Sequence, residues 1–425
     1  MSSVVVVGAG PAGLAAAAAA ARAGRDVLLI DAESRRGGQY HRQDLLDTTE
    51  RFPLPPGVEH LAETVVWAVE PGRRLHLLTG PADGPGRRRR TVDAAALVIA
   101  PGAHDRVLPF PGWTLPGVYT AGAAQAMAKG QRVAVGRRVL VAGTGPFLLP
   151  VARAVLGAGA EVAAVLEANR PRWHTEPRGL AAGLAKAPEL LGYLRTLAKH
   201  RVPYRTRTAV IAAHGADRLE SVTTARLDER WRVRPGTERE LEVDALCVGH
   251  GFTPRLELAV AAGCALSGGF VSVDPAQRTS VPGVYAAGEV TGIGGADLAA
   301  AEGAVAGLAA AGAPVPPRLL RRVRSLRRFA AALDRVHPVG DGWREWLTDD
   351  TLICRCEEVP YRALRAAAPG ARALRLTSRA GLGLCQGRTC GAAVADLCGL
   401  PGDAFARRPI AAPVRLGELI DEENE

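Results

Sequence analysis

Val4-Val5-Val6-Val7-Gly8-Ala9-Gly10-Pro11-Ala12-Gly13 opens the chain and decides its fold class. Four β-branched residues read as a buried strand, the glycines as a tight turn, and residues 14–23 as a helix. Val27–Ile30 follows as a second strand and ends at Asp31. Strand, glycine turn, helix, strand and acid form the context in which G-x-G-x-x-G carries meaning. The glycines let the backbone approach a pyrophosphate at the positive end of a helix. Asp31 lies eighteen residues after Gly13, where a ribose hydroxyl would be held. A dinucleotide site is therefore expected at Gly8, Gly10, Pro11, Ala12, Gly13 and Asp31.

A second unit of this kind spans residues 138–167. Residues 139–142 read as a strand, Gly143-Thr144-Gly145 as the turn, 146–156 as a helix and 162–166 as a strand ending at Glu167. The third glycine is missing, with Leu148 in its place and Pro146 after Gly145. Helix and strand approach less closely there, and a bulkier wall faces the phosphates. Two readings stay open. Gly143, Gly145 and Glu167 hold NAD(P) or ATP, or the unit is kept for architecture alone.

Composition bounds the rest. A chain of 425 residues with 48% hydrophobic residues builds two to three compact units, and 4% aromatics leave Ala, Val and Leu to fill the cores. The net charge of +10 comes almost wholly from arginine, since Lys129, Lys186 and Lys199 are the only lysines. The arginines are dispersed except for Arg87–Arg90 beside Gly84-Pro85-Gly86, read as a solvated hairpin loop, so no nucleic-acid partner is expected. No cleavable leader is visible, and no apolar run of eighteen residues or more exists to span a bilayer. Seven cysteines are then expected in a reducing compartment as thiols or ligands. That points to the cytoplasm, with a peripheral seat on the inner membrane face left open.

Four of those cysteines form a pattern: Cys354 and Cys356 as C-x-C, then Cys385 and Cys390 as C-x4-C, with twenty-eight residues between the pairs. Four thiolates are what a 2Fe–2S cluster requires, two for each iron. Zinc also favours four thiolates, but its ribbons pair them as C-x2-C. With a dinucleotide site in the same chain, the cluster is the better fit. Cys247 and Cys264 fall in core segments and read as small hydrophobes.

The opening motif, Gly37-Gly38-Gln39-Tyr40-His41-Arg42 and the segment from Thr279 to Glu289 resemble two-dinucleotide-domain flavoprotein reductases of the glutathione and thioredoxin reductase kind. Pro109-Phe110-Pro111-Gly112-Trp113, Leu115-Pro116-Gly117-Val118, Thr120-Ala121-Gly122-Ala123-Ala124-Gln125, residues 292–303 and the two cysteine pairs narrow this further. Together they are similar to the A subunits of opine oxidases and of hydroxyproline and proline dehydrogenases, and to the B subunits of hydrogen cyanide synthases. The sarcosine oxidase alpha subunit is a more distant likeness.

The resemblance implies FAD on the first turn, with Gly38 and Gln39 near the flavin, Val66 beside the adenine through its backbone, and Gly102 lining the site. Gly288 and Glu289 stand where a Gly-Asp pair binds ribitol and phosphate, and Ala296 opens a helix aimed at the flavin O2 edge. Asp297 is expected to cap that helix. The resemblance also implies an FAD-containing amino-acid-oxidase-like beta subunit, a small ferredoxin-like gamma subunit, and an FMN at a subunit interface for which no motif is evident. No C-x-x-C lies in the inserted domain, which argues against disulfide reduction.

The expected architecture is α/β. An FAD domain covers 1–106 and 246–312, a second dinucleotide-type domain 107–245, a helical linker 313–344 and a 2Fe–2S domain 345–415. The linker carries Leu319, Leu320, Val323, Leu326, Phe329 and Leu333 at helical spacing, with an arginine face as a candidate partner surface. No substrate base is evident, and His41, His104 and His250 are expected to be structural or flavin-lining. Three functions follow. The first is a flavin and iron–sulfur relay subunit of an amine-oxidising dehydrogenase, the second a stand-alone NAD(P)H-dependent reductase, and the third a redox-sensing scaffold.

Overall fold

In the computed structural model, residues 3–47, 49, 51–82, 84–408 and 410–419 are described. The opening motif folds as its pattern dictates. Val4–Val7 is the middle strand of a five-stranded parallel sheet, between Val27–Ile30 and Ala96–Ile99, with Val58–Leu61 and Val284–Ala286 at the edges. Strands covered on both faces carry near-continuous apolar runs, and the three central ones do.

One face takes two helices, Pro11–Arg22 and Ala296–Ala310. They cross with almost no space between them. A Cβ on Gly303 would stand 2.0 Å from the Ala12 carbonyl oxygen, and one on Gly307 would stand 2.1 Å from that of Ala16. The other face is covered by the antiparallel strands Thr64–Glu70, Arg74–Thr79 and Arg88–Asp93, whose Val66, Leu75 and Leu77 pack on Val5, Ile30 and Leu97. Arg88–Arg90 are therefore not a hairpin loop. They lie in an edge strand with their side chains in water, and Arg87 before them is buried against Glu418 at 2.6 Å.

The second parallel sheet runs in the order Tyr204–Thr206, Glu161–Glu167, Arg138–Gly143, Ala245–Gly249 and Val118–Thr120. This corrects the expected return to the FAD domain at residue 246. Ala245–Gly249 pairs with Arg138–Gly143 along its whole length, so it completes the second sheet. The crossings are made by Ala103–Asp105 and Phe252–Pro254, which run antiparallel to each other as a short ribbon.

Helix Pro317–Val336 packs its apolar stripe on Leu298, Ala301 and Val305. Its Phe329 covers Gly183, and Ala332 covers Gly179. The last unit has strands Leu352–Cys354 and Val359–Pro360, and helices Tyr361–Arg365, Ala371–Ser378 and Gly391–Cys398, around Ile353, Leu364, Leu374, Val394 and Phe405. Among the described residues, no helix is long and apolar enough to cross a membrane.

Candidate functional site

The first glycine turn is shaped by sterics. Gly8 has φ +106°, and a Cβ there would sit 2.1 Å from the Ala100 carbonyl oxygen. A Cβ at Gly13 would sit 1.6 Å from that of Gly8, which makes glycine obligatory for helix and strand to meet. Gly10 differs. The nearest atom to a Cβ there is the Gly38 Cα at 4.0 Å, so the turn leaves an open cradle at the start of helix Pro11–Arg22. Pro11 takes the first helical position and lacks an N–H that would be unpartnered there, leaving the next amides to face an anion.

Asp31 stands beside this turn as expected. Its carboxylate accepts from the Ala9 N–H and, at 2.8 Å, from the Glu33 N–H. Burial raises its pKa above the ordinary carboxylate value despite those donors. A cleft of about 360 Å³ is lined by Ser34 and Arg35, a few residues further along the chain, and by Arg51, Phe52 and His60. These features fit the pyrophosphate and adenosine of a dinucleotide. Gly38 closes on Gly10, where its own Cβ would come within 2.9 Å of the Gly10 Cα, and Gln39 Oε1 accepts from Arg42 at 3.0 Å. Gly102 has φ +75° and open space beside it. Val66 points its side chain into the core, and its backbone pairs with Leu77.

At the flavin end, Gly288 and Glu289 precede helix Ala296–Ala310, whose cap is Gly295. The expected capping by Asp297 is not found. Asp297 lies in the first turn and pairs with Lys186 of the inserted domain, while the Glu289 carboxylate accepts from the Gly294 and Gly295 N–H groups at 3.2 and 2.8 Å. Glutamate in place of aspartate thus reaches the helix start. Burial pushes its pKa up to about 7.

The second glycine turn is arranged differently. Gly143 packs on Gly249, where a Cβ would meet the Gly249 carbonyl oxygen at 1.8 Å. Glu167 is fully buried, and its carboxylate accepts from the Thr144 hydroxyl at 2.9 Å, the Gly145 N–H at 2.8 Å and the Asn169 N–H at 2.9 Å. His337 covers the remaining side, with Nδ1 3.3 Å from Oε2. Asn169 donates to the Pro338 carbonyl at 2.8 Å and accepts from the Trp231 indole at 3.0 Å. Of the two open readings, occupancy of Gly143, Gly145 and Glu167 by NAD(P) or ATP is opposed at Glu167, because chain from residues 337–338 sits over its carboxylate. Gly145 remains open, with nothing within 4 Å of its Cβ position.

The four motif cysteines lie near enough to act on one another: Cys390 pulls the Cys385 thiol down to about 4 and the Cys354 thiol to about 6, and is itself raised. Among the described residues, however, no three His, Cys, Asp or Glu side chains gather around a single ion position. Cys354 and Cys390 are buried, and Cys356 is exposed. Cys247 is a buried core thiol, as expected, with its acidity suppressed to about 12 by burial; Cys264 is likewise buried.

Arg388, between the second pair, ties this unit to the flavin half. Its guanidinium lies 2.9 Å from Glu257, and its carbonyl is 2.8 Å from His104 Nε2. His250 is buried beside Trp231, and burial pushes its pKa down to about 3. His41 packs against Phe52. Four residues that the sequence did not single out also belong to these sites: Asn169, Glu302, Arg327 and His337. Glu302 alone had a signal, as the one acid in the interior of an otherwise apolar helix.

Comparison with known proteins follows the same lines. Residues 2–304 match the family model of the pyridine nucleotide-disulphide oxidoreductases. The chain is 33% identical to HcnB, a hydrogen cyanide synthase component of Pseudomonas aeruginosa, over 91% of this chain and 90% of that protein. It is 32% identical to the opine oxidase A chain of Agrobacterium tumefaciens, over 98% of this chain and 91% of that one. Among solved structures, L-proline dehydrogenase from P. horikoshii superposes with a TM-score of 0.66 at 19% identity, covering 99% of this chain and 79% of that one. Thioredoxin reductase of T. acidophilum gives 0.53 at 23% identity, covering 73% of this chain and 97% of that one.

Proposed function

The chain belongs to the pyridine nucleotide-disulphide oxidoreductase family, as a relative of HcnB and of the opine oxidase A chains, and from that premise we propose that it is the FAD- and 2Fe–2S-carrying subunit of a heteromeric amine dehydrogenase. An amino acid or opine would be oxidised at its C–N bond on an FAD-containing partner, and this chain would relay the electrons. An interfacial FMN and a small ferredoxin-like subunit complete the proposed assembly. The observation that carries the reading is the meeting, in one chain, of an open pyrophosphate cradle at Gly10 and four free thiols near enough to shift one another's pKa.

When bound, the flavin supplies two-electron acceptance and the cluster one-electron transfer. The chain's own residues supply the seats. Backbone amides at the start of helix Pro11–Arg22 receive the diphosphate, and the start of helix Ala296–Ala310 favours negative charge on the reduced ring. Cys354, Cys356, Cys385 and Cys390 furnish a donor set of the number and softness that a 2Fe–2S cluster takes. The buried Cys390 side of that set is docked on the flavin domain through Arg388, which supports electron passage between the two centres.

The stand-alone NAD(P)H reductase loses support from the closure of Glu167. Co-expression with an amino-acid-oxidase-like partner tests the proposal. Dye reduction by proline, hydroxyproline or an opine should need both chains. Full activity of the partner without this chain would refute it.

A further inference from the structure

Helix Ala296–Ala310 is built from alanine, glycine, leucine and valine, apart from Asp297 at its start and Glu302 in its interior. Glu302 is 1% exposed, a position where a charge is costly unless it is paired and hydrogen-bonded. It is fully engaged. One carboxylate oxygen accepts from the Gly288 N–H at 3.0 Å and from the Thr291 hydroxyl at 2.8 Å. The other accepts from Arg327 Nε at 2.7 Å. The Thr291 hydroxyl closes the loop by lying 2.9 Å from the Gly288 carbonyl.

Arg327 belongs to the next helix, Pro317–Val336, and reaches across to do this. With the Gln277 amide oriented so that both its ends are satisfied, the second Arg327 nitrogen donates to Gln277 Oε1 at 3.0 Å and the Gln277 nitrogen donates to the Ala286 carbonyl at 2.9 Å. Gln277 is wholly buried, and Ala286 ends the strand that delivers Gly288. Arg327 therefore grips both ends of the segment 286–291, through Gln277 on one side and Glu302 on the other. An arginine expected on the partner-facing side of this helix instead points inward. Gly288 needs that grip, because its φ of +82° is held while Glu289 is presented to the helix start.

The structure assigns Arg327 and Glu302 as positioning residues for the flavin's ribityl–phosphate loop, Gly288 to Thr291. This rests on the reading of the first glycine turn as an FAD site. Electrostatics gives the pair its direction. Two carboxylates, Glu289 within the loop and Glu302 behind it, lie where a diphosphate and a reduced flavin are expected. The Arg327 guanidinium is the cation that faces Glu302, so its removal leaves a buried negative charge beside an anionic ligand.

Titration of apoprotein with FAD, followed by quenching of flavin fluorescence, tests the assignment, with the midpoint potential of the bound flavin as a second readout. Arg327→Ala should weaken FAD at least about tenfold and lower the potential, while Arg327→Lys restores most of the affinity. Glu302→Gln combined with Arg327→Ala should bind FAD more tightly than Arg327→Ala alone, because the uncompensated charge has gone. A helix that mattered only as packing would give the reverse order, with the double variant weakest, and would overturn the assignment. So would an Arg327→Ala protein with unchanged affinity and potential. A wild-type chain that takes up no FAD at all would fail the flavin reading itself, a different result from these.

Discussion

Gly303→Ala adds one methyl group at the crossing on which the first domain depends. The new Cβ would lie 2.0 Å from the Ala12 carbonyl oxygen, and both sides of that contact are backbone. No rotamer can relieve it, so helices Pro11–Arg22 and Ala296–Ala310 must separate to reach ordinary contact. Overpacking of this kind costs about 1–3 kcal/mol, and alanine returns at most about 1 kcal/mol of helix propensity over glycine. With the full propensity return the net loss is about 0–2 kcal/mol, toward the upper end because the new methyl meets a main-chain carbonyl that cannot turn away. The cost also falls on function, since the two helix starts that separate are those proposed to hold the two ends of FAD.

Gly192→Ala is the matched control. Gly192 sits in helix Ala187–Lys199 with nothing within 4 Å of its Cβ position, so the same substitution should stabilise by about 0.5–1 kcal/mol. Urea unfolding of apo and FAD-loaded protein, read by circular dichroism and flavin release, separates the two. Opposite signs at the two sites, with earlier flavin release in Gly303→Ala, are expected. A Gly303→Ala protein as stable as wild type, and holding FAD equally well, would refute the helix-crossing argument.

Three further outcomes are expected. NADH or NADPH mixed anaerobically with the flavin-loaded chain should not bleach the flavin, because Glu167 is buried under His337; rapid bleaching in a stopped-flow trace would contradict this. Glu289 has its pKa raised to about 7 from an ordinary 4.5, so its neutral form favours folding: the contribution is full below pH 4.5 and is lost as pH rises through 7. Apoprotein melting temperature should accordingly fall as pH rises across that window, and fall less in Glu289→Gln. Arg388→Ala removes a cation that lies between Cys385 and Cys390 in the chain and leaves Glu257 unpaired, so the cluster potential should drop in an EPR-monitored titration; an unchanged or higher potential would count against it.

How far the sequence could be read depended on how local each constraint is. The first strand, turn and helix were legible because Gly8 and Gly13 are fixed by contacts within a few residues and Ala100. The boundary at residue 246 was not. Ala245–Gly249 is an all-buried strand, and nothing within it says which parallel sheet it enters. The fate of Glu167 was equally hidden, since its cover, His337 and Pro338, lies about 170 residues away along the chain. Arg88–Arg90 were misread for a different reason. An edge strand keeps its arginines in water as a loop does, so charge alone cannot separate the two. The cysteine spacing led to an expected four-thiol site; the four side chains lie near enough to shift one another's pKa, yet among the described residues no three gather around one ion position. The inward role of Arg327 had no sequence signal, as the same helix of 20 residues carries several other arginines.

The central claim is that this chain carries a flavin and a cluster together, as a relay between a partner and an acceptor. Anaerobic purification with iron, acid-labile sulfide and flavin assays, alongside EPR of the dithionite-reduced protein, tests it most directly. The account predicts one FAD with a 2Fe–2S signal that disappears in Cys385→Ser while the flavin stays bound. Zinc in place of iron, or a flavin with no iron and no EPR signal after reconstitution, would contradict it.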